Sequence, residues 1–466
     1  MSLAGRRQAL CWLLIAFSGT FVGCIGGGKG VEPPTYACAD CNVVLVSLDT
    51  LRADRLGTYG HSRPTSPNID ALAARSTVFE RAYSVSYHTA DSHMSVFTST
   101  YPSVHLVRNA AKGGGRALDE VVPTLAELLQ GAGYSTAGFH GGGNVSPLYG
   151  FDRGFEHYVN GDMDDALAWL RQAPAEPFFL FFHAYYTHDP YTPETLAFGQ
   201  DYEGDIVSRR DELLAMTENG SFLELRDTFW EQVDSSDPQD LEHLLALYDS
   251  EIREIDARFG ELLTAIEALP GETLIVLMSD HGEEFFEHGR FLHDQLYDEL
   301  LHVPLVVHHP SAPPRRVSTR VSLIDLAPTV LEMVGAELPA SFQGESLVAV
   351  AEGQRVPEFV FSEKLRRLPG DAGPPGRGLS AYSLVQDEVK LILRGEPEVY
   401  DLESDPGEQE NLGRESRELR RLVALGKQIA RDNQAQREVM GIGGAGAEAA
   451  LDDETRDQLK ALGYLQ

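Results

Sequence analysis

A chain of 466 residues is too long for a single ordinary hydrophobic core, so we expect one large domain and a smaller one. Its 42% hydrophobic residues, 44 glycines and 25 prolines are typical of a globular α/β protein with long loops and exclude a disordered chain. The formal charge of −33, from 38 basic and 71 acidic side chains, excludes nucleic acid as a partner because the chain would repel phosphate groups.

Residues 1–24 are predicted to form a bacterial lipoprotein-type signal peptide. A basic start precedes an apolar stretch that is too short to span a membrane comfortably. The stretch ends in FVGC, where a small residue before Cys24 indicates a lipobox and a lipid anchor at Cys24. Phe21 stands where Leu is usual, so cleavage by the ordinary signal peptidase stays open. We expect an exported, lipid-anchored protein of the bacterial cell envelope (periplasm or outer membrane), with residues 25–41 as a flexible tether.

The cysteines after the signal peptide are Cys38 and Cys41 in the sequence CADC. In an exported protein, this spacing favours a short structural disulfide over a redox or metal site. No second CxxC sequence follows that could complete a zinc site.

From residue 42 onward, apolar β-rich runs alternate with helical patterns. This order predicts an α/β fold with a large, mostly parallel sheet sandwiched by helices. The predicted strands are 42–48, 134–140, 177–186, 273–279 and 303–309, and the predicted helices are 66–76, 122–133 and 238–268.

After about residue 345, short apolar runs follow one another at close spacing. They predict a small antiparallel-sheet subdomain, which is followed by a helical tail. We therefore divide the chain after the tether into a catalytic domain (42–345), a small C-terminal subdomain (346–412) and the tail (413–466).

Polar residues follow several of the predicted strands, where open α/β sheets bind their ligands. Asp49 follows the first strand, although a lone Asp there is often only a helix cap. Asp280 and His281 follow a later strand in SDHGEEFFEHGRFLHD (279–294), where a carboxylate beside an imidazole suits metal ligation. A polar surface loop is the alternative for this segment.

Several motifs occur in an order that resembles the sulfatase family of the alkaline phosphatase superfamily. They cover nearly all of residues 42–412 and comprise NVVLVSLDTLRADRLGTYG, SPNIDALA, FERAYS, THDPY, SDHGEEF, LYDELLHVPLVV and VYDLESDPGEQENL. The resemblance implies a metal-dependent ester hydrolase and the family's fold. It is much less specific for the substrate.

Family sulfatases carry Cys or Ser, any residue, Pro, any residue and Arg at the start of a helix, and oxidise the first of these to formylglycine. Aligned on SVFTSTYPSVH, these positions hold Thr89, Asp91 and His93 here. Because Thr cannot yield formylglycine, we expect Thr89 to be an unmodified nucleophile, as in several phosphodiesterases and phosphoglycol transferases of the superfamily. Asp91 in place of Pro departs from the pattern and leaves the rigidity of this loop open.

The remaining site residues are implied by the resemblance. One divalent ion (Mn, Zn, Mg or Ca) would be held by Asp49, Thr89, Asp280 and His281. The catalytic set would be Thr89, with His93 orienting its loop, His188 protonating the leaving group and His293, if protonated, contacting the substrate's anionic oxygens. A second metal stays open because His288 and further acids lie nearby.

The substrate class is predicted to be an anionic ester of a glycan, a lipid or a small molecule. Formylglycine expels sulfate through its second hydroxyl, which a Thr ester lacks, so phosphorus esters are favoured over sulfate esters. Two alternatives stay open: a membrane-tethered transferase of phosphoryl-bearing headgroups, and an inactive family member that binds glycans.

Overall fold

The computed structural model describes residues 36–108, 115–218, 220–365, 380–413 and 416–443. All of them belong to one compact unit, Thr35–Gln466. The predicted signal peptide (1–24) and tether residues 25–35 lie outside the described residues, as does the end of the predicted tail (444–466). Across the described ranges, no helix is both long and apolar enough to cross a bilayer.

The described strands and helices are numbered here in chain order. The strands are β1 (Asn42–Leu48), β2 (Thr77–Tyr83), β3 (Ser135–His140), β4 (His157–Asn160), β5 (Phe178–Ala184), β6 (Thr273–Met278), β7 (Glu284–Phe285), β8 (Phe291–Leu292), β9 (His302–His308), β10 (Arg315–Val317), β11 (Val321–Ser322), β12 (Val360–Leu365), β13 (Ser380–Gln386), β14 (Val389–Leu393) and β15 (Pro397–Asp401). The helices are α1 (Pro67–Ala73), α2 (Thr89–Thr98), α3 (Pro102–His105), α4 (Leu125–Gly131), α5 (Met163–Arg171), α6 (Arg210–Ala215), α7 (Phe222–Trp230), α8 (Pro238–Glu267), α9 (Asp298–Leu301), α10 (Leu326–Val334), α11 (Val348–Ala351) and α12 (Arg417–Met440).

A mostly parallel sheet forms the centre of the fold, as the sequence predicts. Its strand order is β10-β2-β9-β6-β1-β5-β3-β4, and β11 also pairs with β2. Strand β1 runs parallel to both of its neighbours, β5 and β6, whereas β9 is antiparallel to β2 and β6. The carboxyl ends of β1, β5 and β6 therefore meet at one edge of the sheet.

Helices cover both faces of this sheet. Strand β1 is buried along its whole length, and its side chains alternate between the two faces. Val44 packs in a core cluster with Leu247 of α8, while Val43 packs in another cluster with Val330 of α10. Burial on both faces explains why β1 is a continuous apolar run without polar alternation.

The C-terminal region forms the predicted small antiparallel sheet, with the order β12-β13-β14-β15. Helix α12 packs on it through a cluster that includes Leu384 and Leu422. At the other end of the described chain, Tyr36 is buried against the main sheet, and the predicted disulfide between Cys38 and Cys41 is present with a Cα–Cα distance of 5.4 Å. The last six residues assigned to the tether, 36–41, thus belong to the folded unit.

The prediction missed the strands β2, β4, β7, β8, β10, β11 and β15 and the helices α3, α5, α6, α7, α9, α10 and α11, and it was inexact at the end of α1. Strand β2 was not predicted because Glu80 and Arg81 interrupt its apolar run, and β15 was not predicted because it begins at Pro397. Helix α1 ends at Ala73 rather than at residue 76.

Candidate active site

Asp49, Asp280 and His281 come together because the strands that precede them are neighbours. Asp49 directly follows β1. Asp280 and His281 follow β6 after one intervening residue. Ser47 of β1 pairs with Met278 of β6, so the ends of the two strands lie side by side. One potential ligand atom from each of the three side chains lies within 4.8 Å of the others. All three residues are fully buried.

Thr89 completes this group, as predicted from the motif alignment. It is the first residue of α2, and its hydroxyl oxygen lies 3.4 Å from Asp49 Oδ2 and 3.4 Å from His281 Nε2. The N-terminus of a helix offers amide groups and a favourable dipole to an anion bound there. We call Asp49, Thr89, Asp280 and His281 the central cluster.

The electrostatics of the central cluster suit a cation. Burial raises the pKa of Asp49, and burial together with the charge of Asp49 raises the pKa of Asp280 to about 6. Within the described residues, Asp49 Oδ1 and both carboxylate oxygens of Asp280 have no hydrogen-bond partner. Buried acceptors are normally paired, so these oxygens and the imidazole form a possible metal site.

His281 is oriented for ligation by its own backbone. Its Nδ1 donates to the Gly282 carbonyl at 2.9 Å, which leaves the Nε2 lone pair facing the cluster. Burial lowers the pKa of His281 to about 4, so the ring is neutral. Gly282 is required here, because a Cβ would lie 2.0 Å from the Glu299 carbonyl oxygen.

Two further histidines hold the cluster. His93, one turn along α2, donates from Nδ1 to the Thr89 carbonyl at 2.9 Å and accepts from the Ser47 hydroxyl at 2.8 Å. His183 donates from Nε2 to Asp49 Oδ2 at 3.0 Å. His183 was not predicted as a site residue; the parallel pairing of Ser47 with His183 brings it beside Asp49.

A second group lies at the edge of the site and consists of His188, Asp189, Arg226 and Trp230, which we call the peripheral cluster. His188 Nδ1 is 3.1 Å from both the main-chain oxygen and Oδ1 of Asp189. Burial disfavours a charged His188, but the hydrogen bond and the charge of Asp189 outweigh it and raise the pKa of His188 to about 10. His188 is therefore protonated at neutral pH.

His293 connects the two clusters. Its ring centroid lies 4.6 Å from that of His281 and 5.4 Å from that of His188. Its Nδ1 lies 2.9 Å from Oε1 of Glu283. Glu283 is buried, and it was not among the site residues predicted from the sequence. Burial and the charge of His188 lower the pKa of His293 to about 3, which opposes the protonated form considered from the sequence.

Asp91, which the motif alignment places at the position of Pro, is fixed by an ion pair. Its Oδ2 accepts from Lys364 Nζ of β12 at 2.8 Å. Asp91 is fully buried, and burial raises its pKa although Lys364 opposes this. The small sheet thus holds the first turn of α2, where the motif of the family would have Pro.

His288, the candidate ligand for a second metal, does not face the central cluster. Its Nδ1 is 2.5 Å from Glu299 Oε1, and its Nε2 is 3.1 Å from the Glu408 carbonyl. Within the described part of the chain, the other group of potential ligands contains Cys38 and Cys41, whose sulfurs form the disulfide.

Two models of known families match this chain. The model described as Sulfatase matches residues 41–336, and the model described as N-sulphoglucosamine sulphohydrolase, C-terminal, matches residues 286–435. The first match contains every residue of both clusters.

Individual relatives are similar over most of their length. Arylsulfatase K of Xenopus laevis is 24% identical over 432 residues, which cover 80% of this chain and 78% of the relative. Delta 4,5-hexuronate-2-O-sulfatase of Bacteroides thetaiotaomicron is 25% identical over 427 residues, covering 80% and 85%. Among solved structures, the phosphonate monoester hydrolase of Agrobacterium radiobacter superposes with a TM-score of 0.64 at 22% identity, covering 85% of this chain and 96% of the other.

Proposed function

Because the chain belongs to the sulfatase family, we propose that it is a metal-dependent hydrolase of anionic esters with the unmodified hydroxyl of Thr89 as nucleophile. Phosphorus esters are favoured over sulfate esters. The observation that carries this proposal is the position of the Thr89 oxygen, 3.4 Å from both Asp49 and His281 at the start of α2.

The central cluster would hold one divalent cation. The unpaired oxygens of Asp49 and Asp280 and the neutral Nε2 of His281 are the donors, and Thr89 lies beside them. Two carboxylates, a hydroxyl and an imidazole suit Mn²⁺, Zn²⁺ or Mg²⁺, with Ca²⁺ as a further candidate. When bound, such an ion supplies Lewis-acid stabilisation of negative charge on oxygen, which a Thr hydroxyl needs because it is barely ionised at neutral pH.

Side chains and the helix N-terminus position the nucleophile, bind the ester and donate the proton. His93 fixes the Thr89 main chain and thereby the position of the hydroxyl, while the N-terminus of α2 faces the ester's charged oxygens. His188, protonated and held by Asp189, is the proton donor to the leaving oxygen.

The reaction then has two displacements at phosphorus. The Thr89 hydroxyl releases its proton to solvent, its oxygen forms a bond to phosphorus as the bond to the leaving alcohol breaks, and the alcohol oxygen takes the His188 proton. Water then attacks phosphorus and gives its proton to the neutral His188, while the Thr89 oxygen leaves and takes up a proton from solvent. Formylglycine can expel sulfate by breaking its own carbon–oxygen bond, whereas a Thr ester has no such route, and this difference favours phosphorus.

The relatives support both ester classes. The similar proteins include sulfatases, among them the hexuronate sulfatase at 25% identity, and phosphonate monoester hydrolases with the same fold. The identity of residue 89 supports the phosphorus side of this range.

The experiment is an assay of purified protein with each candidate metal on nitrophenyl phosphate, phosphodiester, phosphonate and sulfate substrates. We expect turnover of a phosphorus ester that requires metal, and a phosphoryl adduct on the peptide containing Thr89 by mass spectrometry. Turnover of sulfate esters alone would overturn the phosphorus preference. Product formation only with an added acceptor alcohol would indicate a transferase, and no turnover with no bound metal would indicate an inactive glycan-binding protein.

We further propose that the protein is exported and anchored through a lipid on Cys24, which lies outside the described residues. The disulfide between Cys38 and Cys41 supports an oxidising compartment. Mass spectrometry of the N-terminal peptide from a membrane fraction should find a diacylglyceryl group on Cys24. Recovery of the chain cut at another position and free in the periplasm would contradict the anchor.

A further inference from the structure

Arg226 belongs to the peripheral cluster but has no role in the chemistry described above. It lies on α7, and its Nε is 3.0 Å from Asp189 Oδ2. The same oxygen accepts from Trp230 Nε1 at 2.9 Å, and His188 contacts the other oxygen of Asp189. Asp189 is therefore already well held without Arg226.

The guanidinium of Arg226 uses only part of its donor capacity. Arginine has five N–H donors in a planar fork, and contact through Nε leaves the terminal amino groups for a further acceptor. No other polar partner of Arg226 is found in the part of the chain that the structure describes. The Arg226 side chain is 24% exposed, so an anion can reach it from solvent.

Arg226 is linked to the central cluster through a series of contacts. The rings of His281, His293 and His188 follow one another at centroid distances of 4.6 and 5.4 Å, and His188 contacts Asp189, which contacts Arg226. Thr89 is fully buried, whereas the Arg226 side chain is 24% exposed, so Arg226 forms the solvent-accessible end of this series.

We infer that Arg226 is a specificity-determining residue, which binds a second anionic group of the substrate beside the ester that is cleaved. The shared chemistry is an oxyanion, either a carboxylate or a further phosphate or sulfate group. The inference rests on the proposed function, because it assumes that the scissile ester lies at Thr89. A partly buried charge-assisted hydrogen bond to such a group improves binding about tenfold.

The test measures binding rather than turnover. The probes are phenylphosphonate and the three positional isomers of carboxyphenylphosphonate. Each is titrated by calorimetry into the Mn²⁺-loaded full chain. We expect at least one carboxylated isomer to bind the wild type about tenfold more tightly than phenylphosphonate. Arg226→Gln should remove this preference, and Arg226→Lys should keep part of it because the charge remains.

The matched control is Arg209→Gln, which lies with Arg226 on the chain between β5 and α8. Arg209 pairs with Asp211 on the surface, and its side chain is 64% exposed, so the preference should stay as in the wild type. A wild type without preference for any isomer, or without detectable binding of all four, overturns the assignment. So does Arg226→Gln if it weakens all probes equally, since Arg226 would then act only by positioning Asp189.

The outcomes separate this inference from the proposed function. A carboxylate preference that depends on Arg226, in a protein that cleaves none of the nitrophenyl esters, would reject the hydrolase and retain the binding role. Ester turnover without the preference would do the reverse. A second panel, phenyl sulfonates with a ring phosphate or carboxylate, then distinguishes the two kinds of second group.

Discussion

The central and peripheral clusters are close in space, but they are built differently. The central cluster lies directly at strand ends and at the start of a helix, and all four of its residues are fully buried. The peripheral cluster lies on the chain between β5 and α8, where Arg226 belongs to a helix outside the sheet and is partly exposed. On the functions proposed above, the sheet would position the bond that is broken, and the chain between β5 and α8 would select the substrate.

The largest effect is expected at the centre. Thr89→Ala removes the nucleophile, and turnover of every substrate should fall by at least about 1,000-fold. Thr89→Ser keeps the hydroxyl and should retain measurable activity and the covalent adduct. If Thr89→Ala kept the wild-type rate, the two clusters could not be divided into reaction and substrate functions.

A nearly equal loss is expected when the metal site is weakened. Asp280→Asn removes one of the two carboxylates, so metal affinity should fall at least about 10-fold to 100-fold. Chelation of the wild type should lower its melting temperature, because a ligand at 100 times its Kd stabilises by about 2.7 kcal/mol. Thermal unfolding of both proteins with and without Mn²⁺ checks the loss of affinity and the effect of chelation. A wild-type melting temperature that does not change when chelator is added would contradict the metal site.

The third prediction concerns His188, the residue of the peripheral cluster that is proposed to take part in the reaction. His188→Asn should slow the first displacement by about 100-fold for substrates with poor leaving groups and change it little for nitrophenyl esters, whose leaving group needs no proton. Since the pKa of His188 is raised to about 10, the proton is present at neutral pH and is lost as pH rises through that value. The wild-type rate on poor leaving groups should fall in that range, and the variant should lack this alkaline decrease. An unchanged pH profile would exclude His188 as the acid.

The smallest effect concerns a residue distant in sequence from either cluster. Lys364→Met leaves the buried Asp91 carboxylate unpaired and should lower the free energy of unfolding by about 3 kcal/mol. Turnover should fall about tenfold, because α2 loses its support from β12. The double variant Asp91→Asn with Lys364→Met should recover much of the stability, measured by urea unfolding. Failure to recover would indicate that Lys364 acts by another contact.

The sequence allowed the central cluster to be predicted because its residues follow apolar strands and lie in family motifs. The central sheet could be predicted because strands such as β1 are continuous apolar runs in the sequence. Lys364 could not be predicted, because its partner Asp91 lies 273 residues away on helix α2. His183 was missed for a related reason: its pairing with the neighbouring strand β1, and not local pattern, brings it to the site. Glu283 lies in SDHGEEF, but nothing in the motif distinguishes it from the other acidic residues of that segment.

The ion pair of Lys364 and Asp91 also bears on the order in which parts of the protein can assemble. Asp91 lies 273 residues before its counter-charge, so the buried carboxylate at the start of α2 is neutralised only once β12 has packed against it. A chain shortened to end before β12 would contain all of the proposed metal ligands but would leave this buried charge without its partner.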